Sequence, residues 1–219
     1  MRYWGLIAAA GCSSRMKEFK PLLRIGDKTL IEHTVGSMFA GGVAELTVTL
    51  GHRAGEVERV LRNVWPADTV RIAINPRYAE TDMLTSVKIG LRALVSGGFT
   101  AARAGVFFLP GDMPAVRKET FFALAGHMEK TSAKLVFPLA GGKRGHPPLI
   151  SAACVPDILD YEGAEGLRGL WRRCRGEDAE VEVQDRGCLL DADRMTDYHE
   201  LAAYLQERMI TIQYEEKMA

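Results

Sequence analysis

The segment Ala10-Gly11-Cys12-Ser13-Ser14-Arg15-Met16-Lys17-Glu18-Phe19-Lys20 places small residues ahead of a guanidinium and an ammonium group. A tight turn of small residues lets backbone N–H groups come close to a ligand, and the start of a helix favours negative charge. Arg15 offers a planar fork of donors and Lys20 a point charge, both suited to phosphate oxygens. The spacing is neither Gly-x-x-x-x-Gly-Lys-Ser/Thr nor Gly-x-Gly-x-x-Gly, so P-loop ATPases and dinucleotide-binding enzymes fit poorly. The same residues also suit an ordinary turn with exposed basic side chains.

The second group of residues is acidic. Asp112 stands in Pro110-Gly111-Asp112-Met113-Pro114, directly after an apolar run. A carboxylate there can ligate a hard cation such as Mg²⁺, which keeps waters and bridges substrate phosphates. Gly, Asp and Pro are also turn formers, the plainer reading of that stretch. Asp191 and Asp193 are candidates for a second ligand. On an extended segment they point in opposite directions, so one of them faces the ion; an N-cap role competes for either. Gly145 and His146, followed by prolines, have the character of a pocket wall that contacts an acceptor, or of an exposed loop.

These residues need a scaffold that brings distant loops together. Apolar runs at Tyr3–Ala9, Glu45–Leu50, Val70–Ile74, Gly105–Leu109 and Leu135–Phe137 read as buried strands. Between them, Leu30, Ile31, Val35 and Met38 share a helical face, as do Val57, Val60 and Leu61, and Val87, Leu91 and Leu94. The alternation predicts an α/β fold, a Rossmann-like three-layer domain on a mostly parallel sheet, spanning 1–219 as one unit. Further along, Pro148–Ser151, Glu180–Val183 and Cys188–Leu190 read as short strands, and Gly166–Arg173 and Thr196–Glu207 as helices. Ligands of such sheets sit at the carboxyl ends of the strands, where the first loop and Asp112 fall.

Ala-Ala-Gly-x-Ser-x-Arg-Met-x-x-x-Lys after a first strand resembles the loop of nucleotidyltransferases of the molybdenum-cofactor type. Further landmarks occur in the family's order: Thr29–Val35, Leu50-Gly51-His52, Asn75-Pro76-Arg77-Tyr78, Leu109–Pro114, Arg144-Gly145-His146-Pro147 and Asp191-Ala192-Asp193. The resemblance implies the nucleotide-diphospho-sugar transferase type of fold and transfer of a nucleotidyl group to a phosphorylated acceptor such as molybdopterin, with release of pyrophosphate. It implies that Ala9, Ala10, Gly11, Cys12, Ser13, Ser14, Arg15, Lys20, Asn75 and Ser86 bind nucleotide, and that Gly145 and His146 meet the acceptor. Arg15, Lys20 and Asp112 then carry catalysis, and Asp112 with Asp191 holds Mg²⁺. A molybdoenzyme or maturation factor becomes a conceivable partner.

Ala10 stands where guanylyl members of that family tend to have Gly, which favours CTP over GTP. Two departures bear on the acceptor: Lys17 follows Met16 where Gly is usual, and Ala164 replaces Asp in Gly163-Ala164-Glu165-Gly166-Leu167-Arg168. A sugar phosphate or choline phosphate therefore stays open as acceptor, as does GTP as donor, and a nucleotide-binding regulator without turnover is the alternative of another class.

Composition narrows the field. Lys plus Arg and Asp plus Glu each number 28, so the formal net charge is zero and no surplus of cations exists to bind a nucleic-acid backbone. No apolar run approaches the roughly 18 residues of a membrane span. Leu6 to Cys12 has the look of a lipoprotein signal but is short for one, against the usual ~15–30 residues. Cys12, Cys154, Cys174 and Cys188 form no Cys-x-x-Cys pair and are expected to be reduced thiols in a cytoplasmic protein.

Overall fold

The computed structural model describes residues 1–13, 16, 18–99, 104–131 and 133–218. The strands are β1 (Arg2–Ala9), β2 (Arg24–Ile25), β3 (Lys28–Thr29), β4 (Glu45–Leu50), β5 (Val70–Ile74), β6 (Ala104–Pro110), β7 (Leu135–Ala140), β8 (Lys143–Arg144), β9 (Leu149–Ser151) and β10 (Asp178–Glu182). The α-helices are α1 (Leu30–Ala40), α2 (Ala54–Arg62), α3 (Met83–Ser96), α4 (Lys118–Lys130), α5 (Val155–Asp160), α6 (Gly166–Arg173) and α7 (Met195–Met218).

The main sheet runs β10-β7-β9-β6-β1-β4-β5. β1 is parallel to β4 and β6, and β4 to β5. β9 inserts antiparallel between β6 and β7, and β10 restores a parallel edge on β7. The side chains of β1 explain why its run is continuously apolar. Ile7 and Ala9 join one core, with residues of α1, α2 and α4; Trp4, Leu6 and Ala8 join another, with residues of α3, α5 and α6. A strand covered on both faces cannot alternate with polar residues. The fold is thus a mostly parallel α/β sheet with helices on both sides.

Local chemistry starts the helices in the right places. Thr29 caps α1 by accepting from the Glu32 N–H while the Glu32 carboxylate accepts from the Thr29 N–H, a reciprocal capping box. Leu30, Ile31, Val35 and Met38 then bury one face completely. Asp82 caps α3 by a single bond, its carboxylate accepting from the Thr85 N–H at 3.0 Å. The closing helix expected over Thr196–Glu207 is longer, Met195–Met218, and Leu201 and Leu205 pack it on Ile25 of the β2–β3 hairpin.

One element differs in kind. Cys188–Leu190, expected as a strand, lies instead in a 3₁₀ turn over Arg186–Leu189. Asp185 is the physical reason, since its carboxylate accepts from the Gly187 N–H at 2.9 Å, and local satisfaction of the backbone competes with a ladder. The other oxygen of Asp185 accepts from the Arg117 N–H at 2.8 Å and the Thr120 hydroxyl at 2.7 Å. This buried carboxylate ties the turn to the start of α4.

Candidate active site

Three chain segments meet at the carboxyl ends of β1 and β6. The first is the loop after β1. Ala9 and Ala10 are buried, Gly11 and Cys12 turn toward solvent, and Ser13 adopts a left-handed backbone with φ of 54°. A Cβ added to Gly11 would meet nothing within 4 Å, so the backbone there faces open space into which a ligand can come close. The Ser13 hydroxyl accepts from the Lys20 N–H at 3.2 Å and closes the loop back on itself. Ser14, Arg15 and Lys17 lie outside the described residues.

The second segment carries Asp112. The Gly111 N–H donates to the Ala8 carbonyl at 2.9 Å, and a Cβ on Gly111 would stand 2.6 Å from the Ala9 Cβ. Glycine is therefore what allows the loop after β6 to press against the end of β1. The Thr34 hydroxyl of α1 donates to the Gly111 carbonyl at 3.1 Å and fixes the loop from below. Asp112 is thereby aimed at Lys20, whose ammonium donates to it at 3.0 Å.

The third segment contributes Asp191 and Asp193. Strict alternation predicted that only one of them would face the site. Both line the same cleft, together with Asp112 and His146. The reason is that residues 190–193 are not in a strand, so period-two geometry does not apply, while Ala192 between them is fully buried and anchors the segment. Lys20 donates to Asp193 at 2.8 Å, making one ammonium the bridge between carboxylates from distant loops.

Charge sets the protonation behaviour of the cleft. Burial pulls Lys20 down, but Asp112 and Asp193 more than offset it and the net displacement is upward. Asp191 is pushed up, first by partial loss of its hydration and then by repulsion from Asp112 and Asp193. A carboxyl group raised in the folded state costs stability while ionised, and the cost disappears as pH falls through that raised value. Asp191→Asn should therefore melt higher than the parent at pH 7 in the presence of a chelator, and the difference should shrink on acidification. An unchanged or lower melting temperature at pH 7 would show that Asp191 is not under like-charge pressure.

The carboxylates gathered here offer oxygen ligands, the kind a hard cation takes. Among the described residues no group of three His, Cys, Asp or Glu side chains is arranged as a metal cage. Mg²⁺ needs none, because one or two carboxylates with substrate phosphates and waters complete its octahedron. The residues present fit such an ion, and repulsion around Asp191 is what a cation would relieve.

The remaining expected residues occupy the surroundings. Asn75 and Ser86 are buried, the Asn75 side-chain amide donates to the Ser86 hydroxyl at 3.1 Å, and its Oδ1 accepts from the Arg77 N–H. Their side chains are engaged in holding the loop after β5. The Gly145 and His146 backbones are fixed by N–H donation to the Pro138 and Cys188 carbonyls. A Cβ on Gly145 would lie 2.5 Å from the Cys188 oxygen, so glycine is needed to seat this loop on the 3₁₀ turn. The His146 Nδ1 is buried without a hydrogen-bond partner among the described residues. Burial lowers its pKa against the opposing effects of the Phe108 backbone and Asp112, which keeps the ring neutral at pH 7.

Two contributors escaped the sequence reading. Asp185 looks like any turn residue in Gln-Asp-Arg-Gly, and Arg144, which lines the cleft, stands in the sequence only as the first residue of Arg144-Gly145-His146-Pro147. Only long-range partners reveal the first, and nothing but its place beside Gly145 pointed to the second.

Comparison with known proteins places the chain in a family and a fold. The family described as the MobA-like NTP transferase domain matches residues 5–180. A molybdenum cofactor cytidylyltransferase of Escherichia coli (strain K12) is 26% identical over 193 residues, covering 88% of this chain and 92% of that protein. Among solved structures, a nucleotidyl transferase from Methanothermobacter thermautotroptrophicus superposes with a TM-score of 0.77 at 26% identity, over 94% of this chain and 99% of that one. A Mycobacterium tuberculosis H37Rv protein solved as a complex with manganese shares the fold, with a TM-score of 0.71 at 21% identity over 93% of this chain and 98% of its own.

Proposed function

We propose that this chain, which belongs to the MobA-like NTP transferase family and is a nucleotidyltransferase, transfers CMP from CTP to a phosphorylated acceptor of the molybdopterin class and releases pyrophosphate. The observation that carries the reading is the convergence of Lys20, Asp112, Asp191 and Asp193 in one cleft beside an open glycine-containing loop.

In this reading an acceptor phosphate oxygen attacks the α-phosphorus in line with the departing pyrophosphate. Both reactants are anionic, so the protein's task is to position them and neutralise charge. The amides of residues 9–13 approach the triphosphate, and Lys20 exchanges part of its hold on Asp112 and Asp193 for phosphate oxygens. Asp112 and Asp191 would hold Mg²⁺, with Asp193 retained as the partner of Lys20. Bound there, the ion supplies charge neutralisation on phosphate oxygens. The manganese complex of a fold relative supports a divalent cation in such a scaffold. No covalent intermediate is required, so no activated nucleophile is needed on the protein. No helix among the described residues is long and apolar enough to cross a membrane; we place the reaction in the cytoplasm, where free thiols such as Cys12, Cys154, Cys174 and Cys188 stay reduced.

The choice of base rests on Ala10. This residue is buried, and its carbonyl is fixed by the His52 N–H at 3.1 Å, so its Cβ is held in place; in this reading it bounds the base site. A rigid methyl group excludes the larger purine better than a mobile one. The kcat/KM for CTP should exceed that for GTP, and Ala10→Gly should shrink the ratio by about tenfold, within the ~1–3 kcal/mol that one methyl supplies. A parent enzyme that prefers GTP overturns the cytidylyl assignment. An unchanged ratio in Ala10→Gly moves base selection elsewhere, to the loop that Asn75 and Ser86 hold together.

A further inference from the structure

The two edges of the main sheet differ in kind. β10, at one end, places Asp178, Glu180 and Glu182 at alternate positions, and charge along an edge strand opposes pairing with another chain. β5, at the other end, reads Val70-Arg71-Ile72-Ala73-Ile74. Its single charge is held on its own chain, the Arg71 guanidinium donating to the Ala93 carbonyl of α3 at 3.1 Å. Ile74 is 48% exposed, with no charged neighbour in the strand to guard it.

The backbone of β5 can be followed bond by bond. The Thr69 carbonyl accepts from the Leu46 N–H at 3.1 Å, and the Asn75 N–H donates to the Leu50 carbonyl at 2.8 Å. With the β4–β5 register between them, residues 69, 71, 73 and 75 face β4, so Val70, Ile72 and Ile74 present N–H and C=O to the outer side. Val70 is already satisfied there. Its N–H donates to the Pro66 carbonyl at 3.0 Å, and its carbonyl accepts from Arg62 at 2.6 Å. Ile72 and Ile74 have no backbone hydrogen-bond partner on that side among the described residues.

We infer that β5 is an interface between two copies of this chain, paired antiparallel about a two-fold axis through Ala73, so that the main sheet continues from one copy into the other. The free groups select the register. Centred on Ala73, Ile72 stands opposite Ile74 of the partner subunit, and each such pair exchanges both bonds and leaves none of the free groups over. Centred on Ile72, Ile74 would face Val70 of the partner subunit, whose groups are taken. Centred on Ile74, Ile72 would face Pro76 of the partner subunit, which has no N–H to give. The Ala73 register also sets isoleucine against isoleucine on one face, an apolar cross-strand pair that stabilises a sheet. A second copy is the occupant because it brings the same free groups and the same side chains in the reversed order that the edge requires, the self-complementarity of a two-fold interface. The inference does not depend on the nucleotidyl-transfer reading.

Sedimentation velocity of the full chain over a concentration series should show a shift from the mass of one chain toward that of two. Ile74→Lys places a charge where the apolar pair forms and should stay at the mass of one chain throughout. Phe122→Lys, at an exposed apolar position on α4, should associate as the parent does. The register has its own test. Ala73 and its copy form a non-hydrogen-bonded pair, with Cα atoms ~4.5 Å apart and so within the ~4.4–6.8 Å span of a disulfide. Diamide should therefore link Ala73→Cys into a reducible dimer several-fold more than it links the parent or Phe122→Cys. A parent that keeps the mass of one chain at every concentration overturns the inference. So does association that survives in Ile74→Lys, an equal loss in Phe122→Lys, or linking of Ala73→Cys at no more than the Phe122→Cys level. Should Ile74→Lys fail to fold, the linking of Ala73→Cys decides.

Discussion

Asp112→Ala is expected to fold as the parent does and to release pyrophosphate from CTP about a thousandfold more slowly. The carboxylate sits beyond β6 on a loop whose position is set by Gly111 and Thr34, not by Asp112 itself. Removing it leaves Lys20 paired with Asp193 at 2.8 Å, so no buried charge is stranded and the melting temperature should hold. What is lost is an anchor for the divalent cation and, with it, stabilisation of charge in the transition state, an effect worth several kcal/mol. Steady-state pyrophosphate release and thermal melting, measured on the same preparation, decide the matter. Turnover within a few-fold of the parent in a folded variant would remove Asp112 from the mechanism. A variant that binds CTP normally but fails to turn over places the loss in the transition state.

Lys20→Ala should have the next largest effect, a fall of about a hundredfold in kcat/KM for CTP, because charge-assisted hydrogen bonds to an anion contribute ~1.5–3 kcal/mol each. The side chain is mostly buried, and it neutralises carboxylates that otherwise repel one another and an incoming triphosphate. Its removal therefore acts twice: a phosphate-binding cation disappears, and Asp112 and Asp193 face the substrate with less countercharge. Lys20→Arg keeps the charge but replaces a compact ammonium with a fork too broad for the gap between Asp112 and Asp193, and should recover only part of the loss. Lys28→Ala, on the exposed face of β3, is the control for net charge and should stay within twofold of the parent. Calorimetric titration with a non-hydrolysable CTP analogue separates binding from turnover. Equal losses at Lys20 and Lys28 would show that only overall charge matters.

Where strong local periodicity exists, the sequence by itself determined the element. Tyr3–Ala9 is apolar along its length because both faces of β1 are covered, and a short apolar run in a chain that alternates strands with helices reads as a buried strand. Thr29 and Glu32 form a capping box from residues three apart, and Leu30, Ile31, Val35 and Met38 follow with helical spacing, so α1 is specified within a dozen positions. The loop after β1 and the Pro-Gly-Asp stretch after β6 were also visible, because Gly11 and Gly111 interrupt apolar runs.

The tertiary structure decided whatever depended on partners far away in the chain. Lys20 meets Asp112 and Asp193, 92 and 173 positions distant, and no local signal encodes that meeting. Asp191 and Asp193 share one cleft because Ala192 is drawn into the core, which breaks the alternation an isolated extended segment would keep. Cys188 turns instead of extending because the buried Asp185 is already claimed by Arg117 and Thr120, some 65 positions earlier. The rings of Phe137 and Trp171, far apart in the chain, meet edge to face, a contact that no local pattern encodes. Hydrogen-bonding and apolar periodicities act over a few residues and are written in the sequence. Charge pairing and shape between loops come from chain closure, and the three-dimensional arrangement of the sheet sets them.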